Sequence, residues 1–69
     1  MEGQPSEQEI KKLLEQLNSK NAYERILAAE SVQRQKITDE KIVKTLQWLI
    51  AHDSLRVVRD TAKSTLVYL

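Results

Sequence analysis

Apolar residues recur along this chain at helical spacing, in four blocks separated by short polar breaks. Ile10, Leu13, Leu14 and Leu17 share one helical face. Ser6-Glu7-Gln8-Glu9 precedes them as a capping box, in which Ser6 caps the helix and Glu9 reaches back. Asn18-Ser19-Lys20-Asn21 interrupts the face. Asn21, with Glu24 behind it, predicts a second helix running to about Gln35, with Ser19 as the alternative cap. Thr38-Asp39-Glu40 opens a third helix, its carboxylates in the first turn where the helix dipole favours them. Its apolar face is Ile42, Val43, Leu46, Leu49 and Ile50. His52-Asp53-Ser54 breaks that pattern, with Asp53 or Ser54 as the next cap, and a fourth helix places Leu55, Val58, Ala62, Leu66 and Leu69 on one face. Short links between four helices predict an all-α fold of two antiparallel helical hairpins.

The two hairpins match each other. Arg25, Ala28 and Val32 recur as Arg59, Ala62 and Leu66, a constant separation of 34 (25 to 59, 28 to 62, 32 to 66). Ser31 and Thr65 keep that spacing. The first helices align at 32 instead, Ile10 with Ile42, Leu14 with Leu46 and Leu17 with Leu49. The second hairpin therefore has either a longer first helix or a longer inter-helix link. Self-similarity at such a period is the mark of a stacked helical array. Residues 6–36 and 37–69 are then two repeats of one domain, behind a polar lead, Met1–Pro5, that is expected to be loose.

Composition adds little chemistry. In 69 residues, 11 Lys and Arg face 10 Asp and Glu, interspersed throughout, a balance that favours neither nucleic acid nor an anionic membrane. There is no cysteine, so no disulfide and no thiolate metal site, and the single histidine, His52, has no ligand cluster around it. No apolar run is long enough to span a bilayer, and the expected address is the cytoplasm. No Gly-rich loop and no His-x-x-x-His or Glu-x-x-His pair is present, and Ser31 and Ser64 have no histidine nearby in the sequence to act as base. No cofactor and no catalytic activity are expected.

The stretch Asp53-Ser-Leu-Arg-Val-Val58-Arg59-Asp-Thr-Ala62-Lys-Ser-Thr-Leu66 resembles the second helix of a HEAT repeat of the phycobilisome-lyase-like type. Arg25-Ile-Leu-Ala28-Ala29-Glu-Ser-Val32 is similar to the same helix, but has Glu24 where that family usually has Val, and Ser19 where it usually has Asp. The resemblance covers about residues 6–69. It implies an α-α superhelix of stacked hairpins and a scaffold or adaptor role, with an accessory part in a chromophore-handling system as a weaker alternative. It also implies a structural ladder of Arg25, Asp53 and Arg59. Arg59 would donate to the Asp53 side chain or to carbonyls of the turn. Arg25, inside the apolar arc, would find a backbone carbonyl or Asp53 of the next repeat. A guanidinium placed there must be paired, since an unpaired buried charge costs several kcal/mol.

Some apolar residues fall outside the core stripes. Tyr23 and Leu27 line up with Glu30 and Arg34 on a second face, and a shift of 34 turns these four into Val57, Thr61, Ser64 and Tyr68. In a HEAT-like array this strip would face the concave surface, where tyrosines serve binding well. Trp48 falls among Lys41, Lys44, Ala51 and His52, away from Leu46 and Leu49. The last residues, Val67, Tyr68 and Leu69, add further apolar surface. Tyr23, Leu27, Trp48, Val67, Tyr68 and Leu69 are the candidate partner-binding residues. Arrays need roughly three repeats and polar terminal faces, so the expected partner is a second copy in a homodimer or a neighbouring repeat. A small helical nucleic-acid-binding regulator, using Arg56, Arg59, Lys63, Lys41 and Lys44, is the rival, and the interleaved Glu24, Glu30, Asp39, Glu40 and Asp60 argue against it.

Overall fold

A computed structural model describes residues 5–69; of the expected lead, Met1–Gln4 lie outside the described residues and Pro5 is half-buried. Four helices follow in order, α1 (Glu7–Leu17), α2 (Ala22–Gln35), α3 (Glu40–His52) and α4 (Arg56–Tyr68), with no strand among the described residues. The fold is all-α.

Each helix start has a local cause. The Ser6 hydroxyl accepts from the Glu9 N–H and the Glu9 carboxylate accepts from the Ser6 N–H, both at 3.2 Å, completing the capping box. Asn21 Oδ1 accepts from the Tyr23 N–H at 2.9 Å, so Asn21 caps α2, and Ser19 Oγ takes the Asn21 N–H at 3.0 Å. Asp39 caps α3 through the N–H groups of Lys41 and Ile42. The start of α4 differs from expectation. Its cap position is Leu55, which offers no side-chain acceptor. Asp53 instead forms a turn, Oδ1 accepting from the Leu55 N–H at 2.9 Å.

α2 ends at Lys36, whose backbone is left-handed (φ 54°, ψ 49°). That turn lets the Ile37 N–H return to the Val32 carbonyl at 3.1 Å, satisfying one of the free carbonyls of the last turn. It also drives Ile37 into the core, where it is fully buried. The sequence pattern did not reveal Ile37, because a link residue belongs to no helical period.

α1 packs on α2 and α3 on α4, forming the two hairpins; α1 also packs on α3 and α2 on α4. First helices thus touch first helices, and second helices touch second helices. The shortest dimension, 16 Å, accommodates two helical layers and no third. Between the layers lie Leu13, Leu17, Val32, Ile42, Leu46, Leu49 and Val58, with Ala28, Ala29 and Ala62 at the buried contacts. Leu55 and Leu69 were expected on that face but are 44% and 37% exposed. Both are cap positions, outside the span of α4 itself. Thr65 is fully buried instead, its hydroxyl lying 3.0 Å from the Ala29 carbonyl and 2.9 Å from the Thr61 carbonyl. One hydroxyl proton is shared between these two acceptors.

The longer first helix accounts for the change of offset. α3 runs three residues past Leu49, to His52, whereas α1 stops at Leu17, the counterpart of Leu49. The link after α3 (53–55) is one residue shorter than that after α1 (18–21), leaving the net difference of two.

Candidate functional site

Among the described residues, Asp53 is the most heavily used polar group. Arg25 Nε lies 2.8 Å from its Oδ2 and Arg25 Nη2 donates to its Oδ1 at 3.4 Å, so one carboxylate faces one edge of the guanidinium. The Nε–H is not aimed along a good hydrogen-bond line, and the short contact is better described as an ion pair. Arg25 Nη1 also donates to the Ser19 carbonyl at 2.6 Å. Arg59 Nη1 donates to the Asp53 carbonyl at 2.7 Å. Both of the partners expected for Arg25 are therefore used. For Arg59, of the two acceptors the resemblance implied, it is the turn carbonyl that is used.

The 34-residue repeat is visible at atomic level. Each arginine reaches the carbonyl six residues before it, and the residue carrying that carbonyl caps the N–H two residues ahead: Ser19 for Asn21, Asp53 for Leu55. The cross-hairpin step, Arg25 to Asp53, joins α2 to the α3–α4 link. Side chains of 14% and 4% exposure place this pair largely out of water, so both charges depend on each other.

Beside this pair lies an open hollow. Trp48 and His52, with ring centroids 5.0 Å apart, line it together with Asn18, Ser19 and Lys20 of the first link. Trp48 remains 55% exposed although Leu46 and Leu49 on the same helix are buried. Thr45 and Lys44 meet Trp48 and Asn18 in an adjoining hollow, and Lys44 pairs with Glu40 at 3.4 Å in an exposed contact worth little.

The second-helix strip forms a separate surface. Tyr23 (67%) and Leu27 (46%) are exposed on α2. Further along that strip, Glu30 meets Val57, Thr61, Ser64 and Tyr68 around an open hollow between α2 and α4. Val67 and Tyr68 share another hollow with Lys63 and Ser64. Trp48 lines none of these, so the six candidate residues form at least two patches rather than one. Leu55 and Val57, 44% and 54% exposed, are additional exposed apolar residues outside that set. Val57 stands on the second-helix strip as the repeat counterpart of Tyr23; Leu55 carries no such signal.

Among the described residues no group of three His, Asp or Glu side chains is placed to hold a metal ion, and no helix is long and apolar enough to cross a membrane. Comparison with protein-family models, with curated proteins and with solved structures yields no match.

Proposed function

We propose that this chain is a non-catalytic protein-interaction module, two HEAT-like hairpins stacked as an α-α superhelix, which associates with itself or docks into a larger assembly in the cytoplasm. The observation that carries the reading is the large apolar surface left outside a complete core. Trp48, Tyr23, Tyr68 and Val67 are between 55% and 76% exposed, while the residues that hold the two hairpins together are fully covered without them. Exposed aromatic side chains in such number favour contact with another protein. The second-helix layer carries an exposed tyrosine on each of its helices, Tyr23 on α2 and Tyr68 on α4.

Sedimentation of the isolated chain across a wide concentration range, read together with acrylamide quenching of Trp48, tests the proposal. Association with concentration, accompanied by protection of Trp48 or loss of association in Tyr68→Ser, supports it. A monomer at the highest concentrations, with Trp48 quenched as freely as free tryptophan, counts against self-association.

A further inference from the structure

The repeat also shows what one of its two arginines lacks. Arg25 uses its guanidinium in two ways: Nη1 on its own link carbonyl, and the Nε–Nη2 edge on the Asp53 carboxylate of the other hairpin. Arg59 repeats the first contact, with Nη1 on the Asp53 carbonyl at 2.7 Å. Among the described residues nothing accepts from its Nε or Nη2, and neither atom is sealed from solvent. The edge that holds a carboxylate in the first hairpin is held in place but open in the second.

The surroundings of that edge say what fits it. Ala29 is buried against α4, yet its counterpart Lys63 is exposed. Ala22 and Ile26, half-buried on the core, correspond to the exposed Arg56 and Asp60. A lysine in place of the buried alanine prevents the close helix approach that joins α2 to α4. Head-to-tail stacking of a second copy would moreover bring Ser19, the counterpart of Asp53, which has no carboxylate. What remains is a patch of Arg56, Arg59 and Lys63, with Asp60 drawn onto Arg56 at 3.6 Å and Val67 beside them, 76% exposed.

We propose that this face of α4 docks an acidic segment of a protein partner, one carboxylate taking the open Nε–Nη2 edge of Arg59 as Asp53 takes that of Arg25. The inference rests on the reading of the chain as an interaction module and names the chemistry of its partner. The excess of positive charge supplies complementarity, and Arg59 supplies a paired donor edge that a lysine cannot. Phosphate shares the charge, but within this molecule the same edge is seen holding a carboxylate.

The test is a titration of the full chain, at low salt, with a peptide of aspartate and leucine, followed through the arginine Nε–H resonances. The Arg59 Nε–H signal is expected to move with peptide while that of Arg25, already paired, stays in place. Lys63→Glu, which removes no hydrogen bond or ion pair among the described residues, is expected to weaken binding by at least about tenfold through like-charge repulsion with the peptide and the carboxylate it places one turn from Arg59. Arg59→Lys, checked for folding by thermal melting, is expected to lose roughly tenfold through the missing second donor. Absence of peptide binding, an unmoved Arg59 Nε–H, affinity indifferent to Lys63→Glu, or tighter binding of an oligonucleotide of equal charge would each overturn the proposal. A chain that associates through Trp48 while Arg59 stays unmoved sinks this inference alone; a monomer with solvated Trp48 bears only on self-association.

Discussion

Asp53 shows how one short side chain can fix two hairpins. Its Oδ1 satisfies the Leu55 N–H, its two oxygens face Arg25, and its own carbonyl receives Arg59. Replacing it with alanine leaves Arg25 charged and largely buried without a counter-ion, so Asp53→Ala is expected to cost about 3 kcal/mol in urea unfolding. A chain of this length holds only about 7 kcal/mol in total, so the loss is severe. Arg25→Ala in a double-mutant cycle with Asp53→Ala should show coupling on the order of 1 kcal/mol or more; additive effects would mean the two charges act independently. Thr65 is a quieter case. Thr65→Val keeps the shape but removes the hydroxyl shared by the Ala29 and Thr61 carbonyls, with an expected loss of about 1 kcal/mol and an unchanged denaturant slope. The spacing Ser31–Thr65 was legible in the sequence, but not the burial of Thr65. That burial depends on where α2 turns a backbone carbonyl, which no side-chain pattern encodes.

Among elements, the helices were legible because each carries an apolar stripe and a polar break, and three of the four starts have a side-chain cap. The exception shows where the reading fails. Asp53 has the chemistry of an N-cap, but the chain spends it on the turn and on Arg25, and α4 begins three residues later, at Arg56 beyond an apolar cap position. Leu55 then falls before the first turn, outside the stripe it was assigned to. Of the candidate site, exposure of Trp48, Tyr23 and Tyr68 was legible from their place off the stripes. That they form separate patches was not, since this depends on how two layers stack. The end of α2 invites a direct test: Lys36 holds a left-handed conformation that glycine adopts without strain. Lys36→Gly is expected to stabilise the chain by about 0.5 kcal/mol in thermal or denaturant unfolding.

For the whole molecule, the contacts within and between hairpins pack two similar halves against each other. Ile37, described above as a buried link residue, turns this into a statement about chemical lifetime. A four-residue connection between two helical hairpins is the natural cleavage point of a chain that behaves as two units. Trypsin cuts after lysine, and Lys36 is exposed, but the next residue across the bond is wholly enclosed by the core. A protease needs several residues of extended chain on both sides of the bond, so the Lys36–Ile37 bond is open to attack only when the core itself comes apart. Tryptic cleavage there should therefore run far slower than after Lys20 in the first link, and Asp53→Ala should accelerate it in proportion to its loss of stability. Rapid early cutting at Lys36 in the native chain would show instead that the halves separate while each remains folded.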